Sequence, residues 1–369
     1  MDNSQYQELI YKIGITMIPD IGPIIAKTLI SHCGSPEAVF SETVSTLSKI
    51  PGIGKIKADK IASAEIFNKA ENEIKFLEKT NTTPLYYLDE RFPRRLRHHD
   101  SCPVIIYYRG NADLNPLRTV GIVGTRRPTE QGKVITEKIA EGLQEYTPTI
   151  ISGLAFGVDG ITHRKCVEKN ITTIAVLGHG LDKLYPPEHR ELAHKILENG
   201  GLLTEFCSGT KPDKVNFPMR NRIIAGLSDA VVVIESKESG GSIITSEFAN
   251  DYNKDVFAVP GKPSDEFSRG CNALIKQNKA HLLEGVEDLA NIMRWEKKET
   301  SIAVQTSLFV DLSYEEQGIV DMIRNYKEIA VDSLSYHLKM TSSELAPMLL
   351  NLEFKGIIRS LPGKMYILS

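Results

Sequence analysis

Between Thr83 and Val259 the chain alternates short apolar runs with stretches of helical period. Val120–Val123, Thr149–Ser152, Thr172–Leu177, Leu202–Glu205, Ala230–Ile234 and Val256–Val259 read mostly without polar alternation. Each therefore predicts a strand covered on both faces, and the helical stretches between them predict a parallel sheet with helices on either side. In such a sheet the functional loops lie beyond the carboxyl ends of the strands. The informative residues of this chain fall there repeatedly.

The flanks have a different texture. Near the start, Ile18–Ala26 (Ile-Pro-Asp-Ile-Gly-Pro-Ile-Ile-Ala) recurs as Ile50–Ala58 (Ile-Pro-Gly-Ile-Gly-Lys-Ile-Lys-Ala). Each copy reads as two helices joined by a glycine turn, the helix-hairpin-helix pattern, in which turn amides and a helix N-terminus can hold a phosphate. Only the second copy is basic, with Lys49, Lys55, Lys57 and Lys60, while the segment as a whole is slightly acidic. A packing or protein-contact domain is the expectation, spanning residues 1–78. After Trp295 a polar stretch without periodicity, 296–310, reads as a linker. Residues 311–369 show three helical patterns and a closing hairpin, a winged-helix layout, with Thr341 to Glu344 as a capping box. From 310 to 369 there are six Lys or Arg against eight Asp or Glu, so a partner-binding or structural role is expected of this domain rather than DNA contact.

Composition narrows the class. The 369 residues are 41% hydrophobic and 25% charged with a net charge of −3, which describes a multidomain globular protein with no global attraction to nucleic acid. Any polyanion site must be a local concentration of Lys and Arg. No apolar run approaches a membrane span and Met1 to Glu8 lacks the order of a signal peptide, so a cytoplasmic protein is expected. Five scattered cysteines suggest buried thiols rather than disulfides or a zinc site.

The loops at the strand ends carry the candidate chemistry. The first strand runs into Gly124-Thr125-Arg126-Arg127, just before a helix. A glycine turn at a helix N-terminus presents free amides to a phosphate, and Arg126 adds a planar fork. Neither a Gly-x-Gly-x-x-Gly fingerprint nor a phosphate-binding loop ending in Gly-Lys-Ser/Thr occurs, which disfavours dinucleotide chemistry and ATP hydrolysis. Ser152 and Gly153 open a second glycine-rich loop, Gly178 to Pro187 forms a third, and Gly240-Gly241-Ser242 makes a further glycine turn at a helix start. Two anion sites at neighbouring helix starts suggest a ligand with successive phosphates. His163 has no acid or nucleophile beside it in sequence and reads as a packing residue.

The remaining stretch, Asn216–Ser228, sets Arg220, Asn221 and Arg222 in what reads as the first turn of a helix, behind Pro218. Cations there oppose the helix dipole at about 0.3–1 kcal/mol each. Something negative must offset them. One arginine is expected to pair with Glu205 or Glu247, and the other to face phosphates together with Lys214 and Arg126, with Phe217 offering a flat surface to a base.

Taken together, Gly124–Arg126, Ser152–Asp159, Leu177–Asp182 with Tyr185 and Pro186, Phe217–Ser228, Gly241–Thr245 and Phe257–Gly261 closely resemble the DNA-processing protein A family, also called Smf. The resemblance spans nearly the whole chain. It implies an α/β protein with a Rossmann-like parallel-sheet core at 79–295, an all-α helix-hairpin-helix (SAM-like) domain before it and a winged-helix domain after it. It further implies a recombination mediator, not an enzyme, which binds single-stranded DNA, loads the RecA recombinase onto it during natural transformation and dimerises near the end of its core. No cofactor is implied; single-strand-binding protein joins RecA, single-stranded DNA and a second copy of the chain among the expected partners. The family's DNA-contacting loop falls on Gly124, Thr125 and Arg126, and its basic and aromatic pocket on Lys214, Phe217, Arg220 and the Gly241 loop. Many members carry Ser-Gly where this chain has Gly240-Gly241.

A reading from another class rests on Met219, Arg222, Gly240, Gly241 and Glu247, which also resemble the nucleoside monophosphate phosphoribohydrolases of the LOG family. Ile243 and Ile244 replace the Gly-Thr that would cradle the phosphate there, and binding is favoured over hydrolysis.

Overall fold

The computed structural model describes residues 3–61, 64–297, 312–326, 328–361 and 365–368. It forms two compact units that divide after residue 298. The linker expected at 296–310 lies outside the described residues from 298 onward.

The first unit opens with six helices, α1 (Asn3–Thr16), α2 (Pro23–Cys33), α3 (Pro36–Ser41), α4 (Val44–Leu47), α5 (Gly54–Ile61) and α6 (Ala64–Lys79). The two echoed turns share one left-handed position, Asp20 (φ 66°) and Gly52 (φ 83°), and differ at the glycine two residues on, where Gly22 has φ −80° and Gly54 φ 40°. That requirement explains why the sequence places Asp or Gly there. Lys60 of the second copy reaches Asp20 of the first at 2.6 Å, so one of the basic residues is spent fastening the turns together. Ile10, Ile13 and Ile74 pack with Ile105 and Tyr107 of the following sheet.

That sheet has nine strands: β1 (Thr83–Tyr86), β2 (Ile105–Gly110), β3 (Thr119–Val123), β4 (Thr149–Ser152), β5 (Thr173–Val176), β6 (Gly200–Thr204), β7 (Ala230–Val233), β8 (Asp255–Ala258) and β9 (His281–Leu282). Their spatial order is β1-β2-β6-β5-β4-β3-β7-β8-β9. Strands β6 through β9 in that order are parallel, whereas β2 pairs antiparallel with β6 and β1 with β2. Between them run α7 (Arg94–Arg97), α8 (Glu130–Gly142), α9 (Val158–Glu168), α10 (Arg190–Ile196), α11 (Asn216–Leu227), α12 (Gly241–Asp251), α13 (Arg269–Lys276) and α14 (Val286–Met293). Two apolar layers enclose the sheet, one against α11 and α12 through Ile223, Ile224 and Ala249, the other against α8 and α14 through Ile139, Ala140 and Leu289. The chain lays β3, β4, β5 and β6 outward in one direction and returns to set β7 beside β3. Ligands of such sheets bind at this reversal, outside the carboxyl ends of the strands.

Helix α11 begins at Asn216, so Arg220 and Arg222 stand in its second turn, not its first. The expected clash with the helix dipole is correspondingly smaller, because that field fades within the first turn.

The second unit contains α15 (Tyr314–Tyr326), β10 (Ile329–Ala330), α16 (Val331–Leu338), α17 (Ser342–Phe354), β11 (Ile358–Leu361) and β12 (Met365–Leu368), with sheet order β10-β12-β11. This is the winged-helix arrangement. Thr341 and Glu344 close a reciprocal cap at the start of α17. Lys355, the one cation at the end of that helix, is held by Glu316 at 2.9 Å, so α17 presents Leu350 and Phe354 to solvent rather than positive charge.

Candidate nucleic-acid interface

The sequence-based picture of an open helix N-terminus after β3 is corrected by the geometry. Thr129 caps α8, its Oγ1 accepting from Gly132 N at 3.0 Å. Glu235, at the end of β7, accepts from Thr129 N at 2.9 Å and from Thr129 Oγ1 at 2.5 Å. A protein carboxylate already answers that dipole. A Cβ at residue 132 would stand 2.4 Å from the Glu235 carboxyl carbon, which is why glycine is required there. What the loop offers outward is Arg126 and Arg127, both exposed. The N-terminus of α12 differs: Gly240 caps it with no side-chain hydrogen bond, and Gly241 faces open space.

The two arginines of α11 have separate destinations. Arg222 pairs with Glu205 and donates to Ser101 O at 2.5 Å. This is one of the two carboxylates anticipated for it. Arg220, only 4% exposed, donates to Gly153 O at 2.6 Å and to Val176 O, tying the ends of β4 and β5 to α11. Its Nε donates to Asn221 Oδ1 at 3.1 Å, and Asn221 Nδ2 donates to Gly241 O at 3.0 Å. Burial lowers the Arg220 guanidinium to about 10, with Asp159 opposing that shift, so it remains charged at neutral pH. Asp159, at the start of α9, is pushed above its ordinary value by burial and drawn back mainly by Arg220. Arg220 is thus the charged floor of the site.

Above that floor lies an open cleft of about 620 Å³. Arg126 sits over the Phe217 ring, 5.1 Å from its centroid, and Tyr185 approaches the same ring at 6.1 Å. Phe217 is half-buried rather than part of the core. A Cβ at residue 178 would come within 3.0 Å of it, so Gly178 is what lets the ring pack close to the loop after β5. Lys214 is exposed at the cleft's edge, and on the far side Lys237 stands over Phe267 at 5.2 Å while paired with Glu266 at 2.7 Å.

Of the residues singled out from sequence, Gly124, Thr125, Arg126, Arg127, Lys214, Phe217, Arg220, Asn221, Gly240, Gly241 and Ser242 line this one cleft. Gly153 lines a small recess beside it. Ser152 is not brought to the surface: it is fully buried and donates to Ile122 O at 2.6 Å. Arg222 also points elsewhere, as described. Lys237 and Phe267 were missed by sequence reasoning, whereas Tyr185 was named with the loop from Gly178 to Pro187; the nearby Gly240-Gly241 turn was the available signal for Lys237. His163 is buried, bonded to Thr173 Oγ1 at 2.9 Å and lowered to about 3 by burial, as suits a packing residue. Among the described residues no group of three His, Cys, Asp or Glu is placed to hold a metal, and no helix is long and apolar enough to cross a membrane.

Residues 83–294, the whole sheet and its loops, match the family model described as DNA recombination-mediator protein A. The chain belongs to this family. Residues 13–64 match a SAM-like helix-hairpin-helix tandem and 310–364 a DprA winged-helix domain. Among relatives of this DNA recombination-mediator family, Protein Smf of Synechocystis is 37% identical over 77% of this chain and 73% of its own length. Protein Smf of Escherichia coli is 32% identical over 79% of each chain. The X-ray structure of DNA processing protein A from Streptococcus pneumoniae superposes with a TM-score of 0.63 at 30% identity, covering 81% of this chain and all of that one. A Helicobacter pylori DNA processing protein A structure, described as giving insights into a single-stranded DNA binding mode, superposes with a TM-score of 0.53 at 28% identity, covering 58% of this chain and 97% of that one.

Proposed function

We propose that the chain binds single-stranded DNA in the cleft and acts as a recombination mediator, handing the strand to the RecA recombinase. The observation that carries this reading is Arg126 lying over the half-buried Phe217 ring at the mouth of a cleft edged by the exposed Lys214. Cations beside a flat ring suit a single strand: phosphates meet the charges, and an unpaired base stacks on the ring where a paired one could not. Arg126 and Lys214 take phosphates, Phe217 takes a base, and the free amides at the uncapped start of α12 donate to a further phosphate oxygen. Arg220 and Asn221 hold the floor in shape. The family membership and the Helicobacter pylori relative's described binding mode support the same ligand.

A hydrolytic role fits less well. The Arg222 guanidinium is committed to Glu205 and Ser101, and Glu247 is exposed on α12 rather than lining the cleft. A second copy of the chain would set two clefts side by side and raise avidity. Its contact surface is proposed around β9, where Leu282 is 45% exposed while Leu274 and Leu283 fill the chain's own core. Fluorescence titration with single- and double-stranded oligonucleotides, with adenine release from AMP measured in parallel, tests the proposal. Preference for the single strand and no adenine release support it; equal binding of the two forms, or turnover of AMP, refutes it.

A further inference from the structure

The cleft does not end at Arg126. Both Arg126 and Arg127 also line a second, open groove of about 720 Å³ that runs along α9 and the start of α8. Resting on the reading of the cleft as a DNA site, we propose that the strand continues over the 126–127 loop into this groove. There Arg164 takes a further phosphate and Phe156 a further base.

Three observations carry the inference. First, Phe156 is 41% exposed, although it lies in a loop pressed hard against the protein. The glycine that follows it, Gly157 at φ +75°, lets that loop pack on the backbone of the Arg126 turn, where a Cβ would meet Thr125 O at 2.3 Å. The fold therefore holds an aromatic ring on the ridge between the recess beside Phe217 and the second groove, both of which Phe156 lines. Second, ring and cation share one support. Phe156 meets the His189 ring edge-on at 5.4 Å, Arg164 Nη1 lies 3.4 Å from His189 Nε2, and His189 Nδ1 is bonded to Leu154 O at 2.9 Å. Third, the charges nearby are sorted. Lys133 is paired with Glu130 at 2.6 Å, Lys165 with Glu168 at 2.9 Å and with Glu137 at 3.8 Å. Among the described residues no carboxylate lies within ion-pair distance of Arg126, Arg127 or Arg164. The groove thus offers the same two elements as the cleft, a guanidinium without an acidic partner and an accessible ring, here joined through His189 rather than in direct contact, and a ring of this kind suits an unpaired base.

The test is a length series of fluorescein-labelled oligo(dT) titrated against the full chain and its Arg164→Ala, Phe156→Ala, Arg164→Lys and Arg126→Ala variants, each first checked for an unchanged unfolding midpoint. Arg164→Ala and Phe156→Ala should each weaken the longest oligomers at least about fivefold and leave the shortest unchanged. Arg164→Lys should recover most of the Arg164→Ala loss, and Arg126→Ala should weaken every length. If both alanine variants follow the wild type at all lengths while Arg126→Ala does not, the second groove is refuted and the cleft stands. If the wild type binds no oligomer, the cleft reading itself falls and the extension falls with it. A poly-glutamate competitor that displaces only the long oligomers with equal affinity would assign the groove to an acidic protein partner and overturn the proposal.

Discussion

Arg220 and Arg126 are both candidates to meet DNA, and their environments assign them opposite work. In Arg220→Met the side chain keeps its bulk and loses its donors. Gly153 O, Val176 O and Asn221 Oδ1 lose the partners described above, and Asp159 loses the charge that faces it. Removing one member of a buried charged set typically costs roughly 3–5 kcal/mol in all, and this is the expected loss of core stability. The loss should also depend on pH. Burial already raises the Asp159 carboxyl and Arg220 opposes that rise, so removing the guanidinium raises it further. A carboxyl raised in the folded state holds its proton more tightly there than in the unfolded chain, so stability falls as pH climbs from the unfolded value of about 4 through the folded one. The deficit of the variant should therefore be greater at pH 8 than at pH 5. The single tryptophan, Trp295, packs against the core cluster of the first unit, so its fluorescence during urea unfolding reports that unit and not the winged-helix unit. Arg126→Met, exposed and without an acidic partner, should leave the midpoint within about 0.5 kcal/mol of the wild type. An unchanged midpoint for Arg220→Met at both pH values, with DNA affinity lost, would refute the buttress and make Arg220 a ligand contact.

Phe217→Ala should lower single-strand affinity by about 1–3 kcal/mol with little change in unfolding midpoint, and Phe217→Trp should retain binding; a lowered midpoint with intact affinity would place the ring in the core instead. Gly153→Ala puts a Cβ 2.1 Å from the Arg220 guanidinium, so it should destabilise the core by more than about 1 kcal/mol, whereas Gly241→Ala, whose Cβ meets nothing, should not; equal midpoints would count against the packing described. Leu282→Asp should convert a dimer to a monomer in sedimentation, and a wild-type chain that sediments as a monomer at micromolar concentration would remove the proposed interface.

Much of this was legible in the sequence, for reasons that differ by element. The central strands announced themselves because burial on both faces removes polar alternation, as in Ala230–Val233. The antiparallel edge was harder to read: nothing local to Ile105–Gly110 specifies that it pairs with β6 nearly a hundred residues on. The loop residues of the cleft were found because glycine and arginine at strand ends have few packing explanations. Their division of labour was not, since Arg220 and Arg222 are two residues apart and only the fold sends one beneath the cleft and the other to Glu205. Glu235 was missed as the partner of α8 because the contact joins positions more than a hundred residues apart. Phe156 and Lys237 escaped notice for a related reason: their exposure is a property of the folded loops and leaves no mark in composition.

The central claim, that Arg126 meets a phosphate of single-stranded DNA, is tested most directly by the salt dependence of oligo(dT) binding. Each phosphate contact on a single strand contributes about 0.7 to the slope of log affinity against log salt. Arg126→Ala should weaken binding and reduce that slope by about this amount, alike for all base sequences. A slope unchanged from the wild type would contradict the account.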